Sequence, residues 1–234
     1  MNLDHFLFEI YPYMAMSIFV LGSWLRYDRE SYSWKTDSSQ LLAQEHMLWG
    51  SNLFHVGVIA IFFGHALGLL TPHSWLLAGG ISDLAHQIVA ITAGLLFGLL
   101  ALAGGGLLLW RRLTNRRVRA TGRSRDLFIL GWLLATLSLG LLTIPVSMGH
   151  AAHGNVQAML SLAAWVQSVV TLQADATLLA RVEPIFKWHL FFGMTVFLLF
   201  PFTRLVHVLS VPIGYLGRAW QISRAYRSSH TPRG

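Results

Sequence analysis

Long apolar runs separated by short clusters of charge organise this chain before any single residue is considered. A helix crossing roughly 30 Å of hydrocarbon needs about 20 predominantly apolar residues. Five stretches are long enough: residues 5–25, 47–70, 85–110, 126–148 and 185–209. A sixth apolar stretch, 156–172, is shorter and carries Ser161, Gln167 and Ser168. There is no repeat of solenoid period and no linker long enough to divide the chain. The pattern predicts one all-α domain over 1–234, an integral membrane bundle of five transmembrane helices.

The placement of charge gives the bundle a direction. Arg26, Arg29 and Lys35 follow the first span, and seven arginines from Arg111 to Arg125 follow the third. Arg204, Arg218, Arg224, Arg227 and Arg233 lie near or beyond the end of the fifth. Of the 17 lysines and arginines, only Arg181 and Lys187 fall on the other side. By the positive-inside rule the N-terminus is expected outside and the C-terminus in the cytoplasm. If 156–172 also crossed, the arginines of the tail would face away from the 111–125 loop. That stretch is therefore expected as an outer amphipathic or re-entrant helix, with a cytoplasmic tail over about 212–234. The 26–46 segment, with Tyr27, Tyr32 and Trp34, reads as an ordered interfacial loop, and the residues from about Ser228 as a frayed end. No cleavable signal is expected, because the start carries Asp4 and Glu9 where a signal peptide has a positive region.

Composition narrows the chemistry further. The chain is 54% hydrophobic and 12% charged, about half the charged share of a soluble domain. A net charge of +7 would suit nucleic acid, but the arginines border apolar spans, which points to anchoring at a lipid surface and to no nucleic-acid partner. There are no cysteines, so this chain can hold no disulfide, iron–sulfur cluster or thiolate-bound haem.

Histidine is left as the main candidate ligand. Of 11 histidines, four lie well inside spans: His55 and His65 in the second, His189 and His207 in the fifth. One such histidine alone reads as a hydrogen-bonded packing residue; two on each of two helices read as ligands. The pair on the second span is separated by about 15 Å of rise and the pair on the fifth by about 27 Å. Because the two helices run antiparallel, His55 faces His207 on the inner side and His65 faces His189 on the outer side. The two levels, about 21 Å apart on average, leave room for two stacked macrocycles. Gly57, Gly64, Gly68 and Gly193 near the histidines let a plane, or another helix, approach. No Asp or Glu accompanies the four, which disfavours a zinc or di-iron centre. Histidine on both axial faces leaves no open position and points to electron transfer. The expectation is a protein holding two haems, with all four histidines as iron ligands.

Other residues add less. Arg204, three positions before His207, is either a haem propionate partner or a residue snorkelling to the interface. The 111–125 arginines mark orientation, or dock a partner or anionic lipid. His86, at the outer end of the third span, is a candidate quinone or proton contact, whereas His73, His150 and His153 are expected to be solvated at the surface. Pro145, Pro184 and Pro201 read as kinks or stops. Two other function classes fit membrane histidines. A proton-relay transporter would set Asp, Glu or Ser steps between them, and the intervening positions are Val, Ile, Phe and Leu. A passive anchor would use them only for packing.

Five stretches together resemble a known family: Gly22–Asp28 (GSWLRYD), Ser51–Pro72 (SNLFHVGVIAIFFGHALGLLTP), Gly140–Pro145 (GLLTIP), Trp165–Leu172 (WVQSVVTL) and Phe200–Pro212 (FPFTRLVHVLSVP). The chain resembles the gamma subunit of respiratory nitrate reductase, a cytochrome b membrane anchor, over nearly its whole length. The resemblance implies an inner haem b on His55 and His207 and an outer haem b on His65 and His189. It implies oxidation of quinol (menaquinol or ubiquinol) near the outer haem. Electrons would then pass to a cytoplasmic iron–sulfur beta subunit and on to a molybdenum-containing alpha subunit that reduces nitrate. The location it implies is the cytoplasmic membrane of a bacterium or archaeon. Related cytochromes of sulfur metabolism share the haem-bearing helices and are the alternative. In one place this chain departs from the family pattern: a lysine at the outer start of the third span is missing from Asp83-Leu84-Ala85-His86-Gln87, where His86 stands one position away.

Overall fold

A computed structural model of the chain describes residues 2–30, 44–121 and 124–210. Among these the secondary structure is entirely helical, and five helices are long and apolar enough to cross a membrane. The first crossing, Leu3–Arg29, opens with a short α-helical turn, Leu3–His5, passes through a π-helical turn, Phe6–Ile10, and continues as α1 (Tyr11–Glu30). The rest are α2 (Gln44–Leu70), α3 (Asp83–Thr114), α4 (Ser124–Ala152) and, after the 14-residue α5 (Gln157–Val170), α6 (Pro184–Leu199). At 1.5 Å per residue α5 is about 21 Å long, short of the hydrocarbon thickness. Most of the 26–46 loop and all of the 212–234 tail read from the sequence lie outside the described residues.

The helix ends follow local chemistry. Ser82 caps α3, its Oγ accepting the Ala85 N–H at 3.2 Å, with Asp83 in the positive first turn. Pro184 opens α6 in its first turn, where the N–H it lacks would have no intrahelical acceptor. α4 runs through Pro145 rather than stopping there, and ends at Ala152; just beyond it Gly154, with a φ of +66°, lets Asn155 N–H reach back to His150 O at 2.9 Å.

Side by side, the spans follow the order α2, α3, α4, α6, α1. α2 and α3 touch through their backbones. A Cβ built on Gly104 would lie 2.3 Å from Phe54 N, and one on Gly57 would lie 2.6 Å from Ala101 N. Gly57 therefore serves helix–helix approach rather than room for a plane. At the end of the bundle where α2 stops and α6 starts, a compact core gathers Phe8, Trp165, Leu179, Val182 and Phe186. Trp165, 1% exposed, donates from Nε1 to Phe8 O at 3.0 Å. Gln167 on the same helix donates from Nε2 to Leu69 O and Thr71 O at 3.0 and 3.2 Å, capping the end of α2.

The fifth crossing departs from the continuous helix expected over 185–209. α6 ends at Leu199; a 3₁₀ turn, Phe200–Phe202, follows, Thr203 is extended, and a second 3₁₀ segment runs Arg204–Ser210. Pro201 explains the break, since it lacks an N–H for the ladder and clashes with the preceding turn. The first helix stabilises the break. Arg26 donates to Pro201 O and Thr203 O, each at 2.7 Å, and Gly22 admits the proline ring so closely that a Cβ there would lie 2.8 Å from Pro201 Cγ. The uniform rise and phase used to place His207 therefore end at Leu199. Beyond it, tertiary contacts position the residue.

Candidate functional site

The structure brings the four intramembrane histidines together in two pairs. The His55 and His207 rings have centroids 6.3 Å apart, and those of His65 and His189 are 6.1 Å apart. An imidazole nitrogen lies about 1.1 Å from its ring centroid, and a metal–imidazole bond is about 2.0–2.1 Å. Two imidazoles on opposite sides of one metal thus have centroids about 6.3 Å apart, as both pairs do. α2 leans on α3, and α6 on α4 and α1. His55 and His65 therefore stay exposed on α2 even as they face the partner rings.

All four rings are held the same way. His55 Nδ1 donates to Ser51 O at 2.7 Å, His65 Nδ1 to Ile61 O at 2.9 Å, His189 Nδ1 to Thr136 O at 3.1 Å and His207 Nδ1 to Arg204 O at 2.5 Å. A backbone carbonyl only accepts, so each Nδ1 carries a proton, which makes Nε2 the lone-pair nitrogen of the neutral ring. This is the arrangement that orients a histidine ligand and raises its basicity. On α2 the acceptors are the residues one turn back in the same helix. His189 instead relies on α4, where Gly140 leaves room: a Cβ there would lie 2.9 Å from His189 Cε1.

Among the described residues no group of three or more His, Cys, Asp or Glu is placed to hold a metal ion. A bare ion needs about four protein ligands; a haem needs only the two axial ones. The donor set fits haem. Gly64 and Gly193, where an added Cβ would meet nothing within 4 Å, leave open surface on the two ligand-bearing helices.

Around the pairs the structure adds contacts that the sequence did not name. Arg204 Nη2 donates to Asp126 Oδ2 at 2.7 Å, and its Nε is buried with no partner. His73 and His153 are exposed, as expected, and His150 is partly so; His73 also pairs with Asp83 at 2.6 Å, His150 with Glu183 at 2.8 Å, and His153 Nδ1 donates to Gly149 O at 2.8 Å. His86 sits over the end of α2, where a Cβ on Gly68 would come within 3.4 Å of its Nε2, one turn past His65. Beside it, Gln87 is 4% exposed and donates to Ser147 O at 3.2 Å. Lys187, just inside the fifth span, pairs with Asp4 at 3.1 Å.

Sequence reasoning passed over Thr136, Gly140, Asp126, Arg26 and Gln167. Gly140 and Gln167 lie in stretches that carried the resemblance, with no role attached. Asp126 offered a signal, as the single carboxylate at the edge of a seven-arginine cluster.

Comparison with known proteins is consistent with this geometry. The sequence model of the family described as nitrate reductase gamma subunit matches residues 4–226. The chain is 48% identical over 226 residues to the respiratory nitrate reductase 2 gamma chain of Escherichia coli, covering 96% of this chain and 98% of that one. It is 49% identical over 224 residues to the respiratory nitrate reductase 1 gamma chain of the same organism, with 95% and 98% covered. To the nitrate reductase gamma chain of Bacillus subtilis it is 34% identical over 218 residues, with 93% and 96% covered.

Proposed function

The chain belongs to the nitrate reductase gamma subunit family, and from that premise we propose that it is the dihaem cytochrome b anchor joining a quinol pool to a soluble nitrate-reducing partner. His55 and His207 would hold one haem b, and His65 and His189 the other. When bound, the haems supply reversible one-electron transfer. The observation that carries this reading is the pair of ring separations, 6.3 and 6.1 Å, with every Nδ1 committed to a backbone carbonyl.

The chain lies in a bacterial inner membrane with its N-terminus outside, because the arginines after α3 and those read beyond α6 mark the cytoplasmic side. That orientation sets the His65/His189 pair near the outer surface and the His55/His207 pair near the inner one. Quinol arriving from lipid meets the end of α2, where His86 and Gly68 adjoin. His86 receives a hydrogen bond from a quinol hydroxyl, and the two protons leave outside. The cytoplasmic arginines dock the iron–sulfur beta subunit, and through it the molybdenum-containing alpha subunit. With protons released outside and electrons delivered inside, turnover is electrogenic.

The test uses membranes carrying the whole complex. His65→Ala and His189→Ala should abolish quinol-dependent nitrate reduction, while a reduced soluble dye that feeds the cytoplasmic partner still supports it. Equal loss with both donors, or quinol activity persisting in both variants, would overturn the reading.

A further inference from the structure

Three of the four histidines are supported by regular α-helix, and His207 is not. His55 and His65 lie in α2, and His189 in α6 with a carbonyl from α4. His207 sits in the 3₁₀ segment Arg204–Ser210, beyond the extended Thr203. Hydrogen-bond geometry in a 3₁₀ segment is poorer than in an α-helix, so this one leaves its ring less firmly placed. What anchors it is Arg204. The residue accepts His207 Nδ1–H on its carbonyl and donates from its guanidinium to Asp126 at the start of α4. Asp126 is buried at 9% exposure, and Arg112 lies within electrostatic reach of both partners.

We infer that Asp126 is a positioning residue for the axial His207, acting through Arg204, and that this ion pair sets the charge beside the haem held there. The inference rests on the two-haem reading. Asp126 fixes one end of Arg204, so the carbonyl at its other end meets the ring at one angle. A half-buried pair is screened little by solvent, so each charge acts strongly on a neighbouring redox centre. Removing the carboxylate leaves surplus positive charge and favours the reduced haem. Removing the guanidinium leaves surplus negative charge and favours the oxidised one.

The experiment is a potentiometric titration of both haem components in the intact complex, with low-spin electron paramagnetic resonance of the same samples. A pyridine haemochrome assay of the wild-type complex comes first; finding no haem there would sink the two-haem reading and this inference with it, whereas haem present with the midpoints below unmet would sink this inference alone. Asp126→Asn should raise the midpoint of the component that depends on His207, and Arg204→Gln should lower it. The His65/His189 component should stay in place in both. The resonance of the His207-dependent component should shift in Asp126→Asn and return in Asp126→Glu. If either single variant fails to assemble, the charge-swapped Asp126→Arg/Arg204→Asp chain is measured instead, and a near-wild-type component there supports the inference. Unchanged midpoints, shifts of the same sign, equal effects on both components, or a swapped chain lacking the His207-dependent component would overturn it.

Discussion

Gly140 of α4 and His189 of α6 approach so closely that a single added carbon would displace the ring: a Cβ on Gly140 would lie 2.9 Å from His189 Cε1. The same stretch of α4 supplies the Thr136 carbonyl that accepts from His189 Nδ1. A helix that carries no ligand therefore shapes one ligand twice, by a hydrogen bond and by the space a glycine leaves. Gly140→Ala should distort the low-spin signature of the His65/His189 component, and Gly140→Val should reduce haem content from about two per chain toward one, while the His55/His207 component keeps its spectrum. Redox difference spectra of the purified complex check this, and a wild-type spectrum in Gly140→Val would contradict it.

Gly104 tests the α2–α3 contact. Its added Cβ would meet Phe54 N at 2.3 Å and Gly50 O at 2.7 Å, and backbone atoms have little freedom to yield. Gly104→Ala should force the helices apart and cost about 1–3 kcal/mol or more. Gly149, with nothing within 4 Å of an added Cβ, is the control. Gly149→Ala should leave stability unchanged or raise it by up to about 1 kcal/mol, since alanine is the better helix former. Thermal unfolding in detergent gives both values, and equal melting temperatures would dispose of the contact.

Much of this architecture is legible in the sequence, for reasons that also mark where legibility ends. Hydropathy over about 20 residues reports the five crossings because lipid immersion acts on a whole segment at once. The His65–His189 approach follows from antiparallel helices and regular rise, whereas His207 meets His55 across a break that regular rise does not describe. The break at Thr203 does not follow: Pro201 signals a disturbance, but its form depends on Arg26 and Gly22, 175 or more positions away in the chain. Gly140 is equally opaque, since a glycine in a membrane helix has many uses and only His189 shows which applies. The His73–Asp83 and His150–Glu183 pairs, and the choice of Arg204 as the partner of Asp126, are hidden because ion pairing depends on side chains from separate elements.

Gln167 offers a third test. Its amide caps Leu69 O and Thr71 O at the end of α2, just beyond His65. Gln167→Leu keeps most of the volume but removes both donors, which should cost about 1–3 kcal/mol by leaving carbonyls unpaired. Hydrogen exchange should accelerate in the last turn of α2 and not in its middle. Uniform protection along α2 in the variant would show that the cap contributes nothing.

The pairing of the four histidines decides whether the chain can hold two haems in this way. The most direct measurement is the reduced-minus-oxidised visible spectrum of the intact complex, combined with haem quantitation, for single alanine substitutions of His55, His65, His189 and His207. Wild-type protein should carry about two low-spin haems per chain. Losing His55 or His207 should remove one spectral component, and losing His65 or His189 should remove the other. A chain without haem, or a pattern in which His55 and His189 remove the same component, would contradict it.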